Sequence, residues 1–181
     1  MSSTTSNSNK AIYKVTIAAP IGKVWDELVK TDEVLPFFFG SVCKTTGEIE
    51  VGAPIAMQTK SGKYRSVVGK VLEFDPPFRY SHTFKFTNYD DPPCTVSYEL
   101  KEVDGGTEFL LITTNVPAGT RTEKGMAQGG PFIVNTFKSI VETGRPTFGG
   151  RLMLGLMGLF EPFSPKVSKS ENWSFDKIAR L

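Results

Sequence analysis

The seventeen residues from Tyr13 to Val29 constrain the fold of this chain more than any other segment. In the first half, Tyr13, Val15 and Ile17 alternate with polar residues, which is the pattern of a strand with one buried face. Pro20 ends this strand, because proline has no backbone N–H for the sheet and suits the first turn of a helix. The apolar residues that follow recur at helical spacing, and they are Val24, Trp25, Leu28 and Val29. A strand that leads directly into a short helix, before a long run of strands, predicts an α+β fold.

The rest of the chain has the pattern of a run of strands followed by one long helix. Residues 32–40 are predicted to form a second short helix or turn. Glycine, proline and aspartate turns then recur at hairpin intervals and divide 41–117 into about six short antiparallel strands. A helix is predicted over 123–144, where Gly144 is placed to end it. Its apolar stripe consists of Ile133, Phe137, Ile140 and Val141.

The chain is predicted to have three parts. Residues 1–10 are rich in Ser, Thr and Asn and have little to bury, so we expect a disordered leader. The folded domain is expected over 11–145. Residues 146–181 form a C-terminal extension whose apolar residues would expose a large patch if they were left in water. We therefore predict that the extension docks on the domain or on a partner subunit.

Composition excludes several classes of function. A net charge of +2 is too small to predict a nucleic-acid partner. No run of about 18 apolar residues predicts a transmembrane segment, and the polar leader lacks the apolar core of a secretory signal, so a cytoplasmic location is expected. Cys43 and Cys94 stand far apart without histidines near them, so neither a metal site nor a disulfide is predicted. We expect no cofactor.

Five segments resemble one known family in sequence and in order. They are Ala18-Ala-Pro-Ile-Gly-Lys-Val-Trp-Asp-Glu-Leu28, Gly69-Lys-Val-Leu-Glu-Phe-Asp-Pro-Pro77, Thr95-Val-Ser-Tyr-Glu-Leu100, Gly105-Gly-Thr-Glu-Phe-Leu-Leu111 and Phe137-Lys-Ser-Ile-Val-Glu-Thr-Gly144. Over about 11–145 the chain is similar to the heat-shock-protein-90 ATPase activator homologue (AHSA1-like) family of the START/birch-pollen-allergen-like (SRPBCC) superfamily. The resemblance implies a helix-grip fold, in which a curved antiparallel sheet of about seven strands wraps around a long C-terminal helix, with two short helices between strands 1 and 2. It also implies a cavity between sheet and helix, which many superfamily members use for apolar or amphipathic ligands.

We predict that a ligand would lie in this cavity, against side chains from several parts of the chain. Phe37, Phe38 and Phe39 cluster at the end of the second short segment, where they either gate the cavity or plug the open end of the sheet. A second set shares one face of the predicted strand 78–87, which faces the stripe of the long helix. The predicted ligand-binding residues are Phe37, Phe38, Met57, Tyr80, His82, Phe84, Phe86, Tyr98, Phe109, Ile133 and Phe137.

His82 is the only histidine, and the sequence leaves two roles open for it. Because the pKa of an imidazole lies near physiological pH, His82 could act as a general base or orient a polar group of a ligand. The alternative is a buried ring that is hydrogen-bonded to a backbone carbonyl. Neither a Gly-x-Ser-x-Gly nucleophile elbow nor a glycine-rich phosphate loop after a strand occurs. We therefore assign no catalytic residue.

Three functions fit these patterns. The first is binding of a small hydrophobic or amphipathic molecule between the sheet and the long helix. The second is a polyketide-cyclase-like enzyme that uses the same cavity, with His82 moving a proton. The third is a chaperone-associated or other protein-interaction module with a filled interior. A homodimer formed through the C-terminal extension is a further expectation.

Overall fold

A computed structural model describes residues 3–7 and 9–181, with the backbone alone described for 3–7 and 157–160. The strands are Ser3–Asn7 (β1), Lys10–Ile17 (β2), Val34–Leu35 (β3), Ser41–Thr45 (β4), Pro54–Gln58 (β5), Arg65–Asp75 (β6), Arg79–Phe86 (β7), Cys94–Val103 (β8) and Gly106–Thr114 (β9). The helices are Ile21–Leu28 (α1), Arg121–Thr143 (α2), Phe148–Phe160 (α3) and Phe175–Ile178 (α4).

The strands form one curled antiparallel sheet in the order β1-β2-β9-β8-β7-β6-β5-β4-β3. Strands β3 to β9 follow one another as a meander, and β2 joins the sheet beside β9. Helix α2 packs on β2 and β9, so the sheet wraps around it. The predicted α+β helix-grip fold is confirmed. The sheet has nine strands, since β1 and the two-residue β3 add to the predicted set of about seven.

The two short segments between β2 and β4 are built differently. Helix α1 begins after Pro20, as predicted, and buries Val24, Trp25 and Leu28. The second segment is a 3-10 turn, Pro36–Phe38, which follows β3. Phe39 then adopts a left-handed backbone conformation, with φ of 55°. The turn directs the Phe37–Phe39 cluster toward α2.

The leader differs from the sequence prediction. Ser3–Asn7 forms an edge strand that pairs antiparallel with β2, whereas disorder is predicted over 1–10. The prediction rests on the lack of apolar side chains, but an edge strand needs only backbone partners, and threonine suits extended backbone. Residues 1, 2 and 8 of the predicted leader lie outside the described residues.

Helix α2 supplies the centre of the core. Val134 and Phe137 have no exposed surface. The ring centroid of Phe137 lies 4.8 Å from that of Phe37 and 4.7 Å from that of Phe109. The helix ends at Gly144, whose left-handed backbone lets its N–H bond to the carbonyl of Ile140. Of the predicted stripe, Ile133, Phe137 and Val141 are buried in the core, and Ile140 is partly buried at its edge.

The extension contacts the outer face of the sheet. Trp173 and Ile178 are buried against Ala56 and Val68, which point away from the main core. The indole N–H of Trp173 also donates to the Val167 carbonyl at 2.8 Å. Helix α3 instead leaves apolar side chains exposed, namely Phe148, Leu152, Met153 and Leu156. Homodimerisation through this extension stays a prediction. Within the described residues, no helix combines the length and apolar character needed to cross a membrane.

Candidate ligand cavity

An apolar cavity of about 170 Å³ lies between the sheet and helix α2. Its walls come from the Phe37–Phe39 cluster, from β6 to β9 and from the first half of α2. None of the described residues that line it carries a charge. Five of the predicted ligand-binding residues line this cavity, and they are Phe38, Phe84, Phe86, Tyr98 and Ile133.

Three glycines of α2 form part of the wall, and the sequence prediction missed them. Gly125, Gly129 and Gly130 lie inside a 23-residue helix, where glycine is unfavourable. A Cβ at Gly130 would overlap the ring of Tyr13 and lie 2.7 Å from its Cδ2 atom, so this position requires glycine. The signal in the sequence was the unfavourable glycine composition of an otherwise regular helix.

Thr113 on β9 is a second wall residue that the sequence prediction missed. It lies on the inward face of the strand with Phe109 and Leu111, and only 2% of its surface is exposed. Its Oγ1 atom has no hydrogen-bond partner among the described residues. The alternation of polar and apolar residues could not identify Thr113 as a wall residue, because threonine is common in strands and its presence there indicates nothing further.

Four of the other predicted residues lie on a separate and much smaller void of about 10 Å³, roughly the space of one water molecule. Its walls include Phe37, Met57, Tyr80 and His82, while Phe38 and Tyr98 line both spaces. Phe109 and Phe137 line neither. Their rings pack against each other and fill the core between sheet and helix. The predicted set thus divides into cavity wall, small void and core.

The imidazole of His82 is 1% exposed. Its Nδ1 lies 2.8 Å from the carbonyl oxygen of Thr83, so the ring donates there and Nε2 is left as an acceptor. Neither this Nε2 nor the Tyr80 hydroxyl has a hydrogen-bond partner among the described residues. Burial lowers the pKa of His82 to about 4, and the bond to Thr83 opposes this shift only in part. The ring is therefore neutral at physiological pH.

We expect the buried His82 to make folding sensitive to mild acid. Unfolded chains protonate histidine near pH 6.5, whereas the folded protein resists protonation down to about pH 4. Only the unfolded state takes up this proton between the two values, so stability is retained above pH 6.5 and falls as the pH drops toward 4. The expected loss is about 3 kcal/mol.

Urea unfolding between pH 7.5 and 4 measures this effect, with the His82→Gln variant as the reference. Carboxylates titrate in both proteins, so the difference between the two pH profiles isolates the imidazole. Between pH 6.5 and 4, the free energy of unfolding of the variant should fall less than that of the wild type, because the variant lacks the imidazole. Parallel profiles for the two proteins would contradict a neutral, buried His82.

A larger pocket of about 480 Å³, which we call the mouth, adjoins the cavity. Four residues line both spaces, and they are Phe39, Ser41, Ser66 and Phe86. The ring of Phe39 stacks on that of Phe132 with centroids 4.6 Å apart, which places it at the boundary between the two. Leu154 of α3 and Glu161 border the outer side, and Lys60 contributes a positive charge. The extension therefore forms one side of the mouth.

The described residues offer no group of three or more His, Cys, Asp or Glu side chains that could hold a metal ion. Cys43 and Cys94 are both buried, free thiols. Burial raises the pKa of Cys43 to about 12 and that of Cys94 to about 11, so both are uncharged at neutral pH. Neither thiol is in the thiolate form that nucleophilic attack requires.

A curled antiparallel sheet that wraps around a long helix, with a cavity between them, defines a helix-grip protein. A family profile described as "Activator of Hsp90 ATPase homolog 1-like protein" matches residues 18–142, more than half of the chain. The chain therefore belongs to the Activator of Hsp90 ATPase homolog 1-like family, as the resemblance predicted. No curated protein matches it.

Solved structures with low sequence identity share the fold. CalU16 from Micromonospora echinospora is 17% identical, with a TM-score of 0.59 and coverage of 87% of this chain and 92% of its own. DynU16, a protein in the dynemicin biosynthetic locus, is 20% identical with a TM-score of 0.61, and the match covers 77% of this chain and 49% of DynU16. The Aha1 dimer from Colwellia psychrerythraea is 16% identical with a TM-score of 0.59, covering 75% of this chain and 97% of its own.

Proposed function

We propose that the protein binds a small apolar or amphipathic molecule in the cavity between the sheet and α2. The observation that carries this proposal is an uncharged, apolar cavity that shares part of its wall with a wider mouth. The inner space of about 170 Å³ is small for a ligand site, but the mouth adds about 480 Å³. Together they fall within the range of about 300–1,000 Å³ that is usual for small-molecule sites. An apolar body would lie inside, and any charged end would lie at the mouth near Lys60.

A polyketide-cyclase-like enzyme is the alternative, and the similarity to a protein in a biosynthetic locus supports it. The lining of the cavity favours binding without catalysis. No carboxylate or imidazole lies among the described residues of its wall. The one histidine is neutral and lines the small void instead. A general acid–base step needs a titratable group within hydrogen-bond reach of the substrate, and this wall offers only a tyrosine whose pKa is raised by burial.

The proposal predicts saturable binding of N-phenyl-1-naphthylamine, an uncharged dye whose fluorescence rises in apolar surroundings. With roughly −0.3 kcal/mol per heavy atom, its dissociation constant should be on the order of 100 µM. Gly129→Met should weaken this binding by at least about tenfold. A Cβ at Gly129 lies 3.7 Å from Phe39 Cζ, an ordinary contact, so the position accepts a side chain, and the further atoms of methionine extend from the cavity wall beside the entrance.

Fluorescence titration tests this prediction, and urea unfolding separates blocked binding from damaged folding. Methionine is a better helix former than glycine, so Gly129→Met should not lower stability. Gln128→Met, on the exposed neighbouring position of the same helix, is the matched control and should bind the dye as the wild type does. Equal affinities for Gly129→Met and the wild type would place the dye elsewhere and contradict the proposed site.

A further inference from the structure

The hydroxyl of Thr113 stands out among the buried threonines. Thr107 Oγ1 donates to the Ala19 carbonyl at 2.8 Å, and Thr87 Oγ1 donates to the Arg65 carbonyl at 2.6 Å. Thr113 is as deeply buried, yet its Oγ1 has no partner among the described residues. Buried hydroxyls in folded proteins nearly always have a hydrogen-bond partner, because burial removes the bonds that water would supply.

The position of Thr113 indicates where such a partner would come from. Its side chain lines the apolar cavity, while the walls around it are mainly aromatic and aliphatic. Thr45 also has an unpartnered Oγ1, but Thr45 does not line this cavity. Thr113 is therefore the one residue of the described cavity wall whose buried hydroxyl lacks a partner, and the residue itself borders a space that a ligand can fill.

The lack of charged side chains in the cavity wall limits which ligand groups could form a hydrogen bond with the Thr113 hydroxyl. The described cavity wall holds no cation that could pair with a carboxylate or phosphate, and burying an unpaired charge is strongly unfavourable. Lys60 and Glu161 border only the mouth. A hydroxyl both donates and accepts, so it can bond to an alcohol, a phenol or a carbonyl oxygen.

We infer that the ligand of this cavity is an apolar alcohol, phenol or ketone whose single uncharged oxygen bonds to Thr113 Oγ1 at the inner wall. This inference rests on the proposed function and narrows it to a class of ligand. Thr113 then determines specificity, since a site that offers a buried hydroxyl discriminates against analogues that leave it unpaired. The aromatic walls bind the apolar body, and the hydroxyl selects which end of the ligand enters.

Benzene and phenol test the inference, because they differ by one hydroxyl and an apolar cavity of about 150 Å³ can hold benzene. Calorimetric titration of the full chain gives the ratio of phenol to benzene affinity. In Thr113→Val this ratio should fall by about five- to tenfold, through weaker phenol binding with benzene unchanged. Thr113→Ser, which keeps the hydroxyl, should retain the ratio of the wild type. Thr114→Val, on the opposite face of β9, is the matched control and should also retain it.

The possible outcomes separate this inference from the proposed function. Binding of both probes with the same ratio in wild type and Thr113→Val overturns the role of Thr113 and leaves the cavity as an apolar site. Failure of the wild type to bind phenol, benzene or N-phenyl-1-naphthylamine overturns the proposed function itself.

Urea unfolding provides a second readout: Thr113→Val should be at least as stable as the wild type, because it removes an unpartnered hydroxyl. A marked loss of stability would show that the hydroxyl has a partner within the protein and would overturn the inference.

Discussion

Replacing Phe137 with alanine is expected to lower the free energy of unfolding by about 4 kcal/mol. The side chain has no exposed surface and packs edge-on against Phe37 and tilted against Phe109. It lines neither the cavity nor the small void. Since Phe37, Phe109 and the α2 residues Val134 and Val141 are all buried in the same core, the neighbouring groups have little freedom to fill the space that the ring leaves. The cost should therefore include a cavity term as well as the lost burial.

Urea unfolding measures this loss, and Phe148→Ala is the matched control. Phe148 is 84% exposed on α3, so its replacement should change stability by less than about 0.5 kcal/mol. If Phe137 is a core residue, the folded variant at low temperature should still bind N-phenyl-1-naphthylamine. A variant that keeps its stability but loses dye binding would show that Phe137 is part of the ligand site after all.

The division of the predicted residues between cavity, void and core shows what a sequence pattern can and cannot specify. Alternation along β7 correctly places Tyr80, His82 and Phe84 on the inward face, because strand side chains alternate by geometry. It cannot tell how much empty space each one meets. That depends on the Phe37–Phe39 cluster, whose rings form part of the wall of both the cavity and the small void. The fold follows from periodicity, whereas the cavity depends on residues distant in sequence.

The features that the sequence analysis missed have a common cause. Strand β1 is held by backbone pairing. At Gly125, Gly129 and Gly130 the cavity has room because glycine has no side chain. Neither produces a hydrophobic pattern. The sequence analysis predicts docking of the extension without specifying a face, and Trp173 packs on the outer face of β5 and β6, where Ala56 and Val68 have the pattern of ordinary strand residues. A pattern of apolar side chains indicates which residues are buried, but it does not indicate where two backbone segments approach each other closely.

Gly69 on β6 is the position where close backbone approach matters most. A Cβ there would overlap the carbonyl oxygen of Thr83 on β7 and lie 2.8 Å from its carbonyl carbon. The same Thr83 oxygen accepts the hydrogen bond from His82 Nδ1, and Thr83 Oγ1 accepts from the N–H of Lys70 at 2.9 Å. The two strands therefore meet closely at this point, and only glycine leaves room for the carbonyl.

We expect Gly69→Ala to destabilise the protein by about 4 kcal/mol or more, which is a large part of the stability of a typical domain. The new methyl group meets backbone atoms that cannot rotate away, so β7 must move. This movement weakens the hydrogen bonds at Thr83 and the packing of the neighbouring His82 and Phe84.

Gly22→Ala is the matched control. A Cβ at Gly22 meets nothing within 4 Å, and alanine should stabilise α1 by up to about 1 kcal/mol. Thermal and urea unfolding of both variants measure the contrast. A Gly69→Ala protein within about 1 kcal/mol of the wild type would mean that β6 and β7 can separate here without loss, and that the curl of the sheet does not depend on this contact.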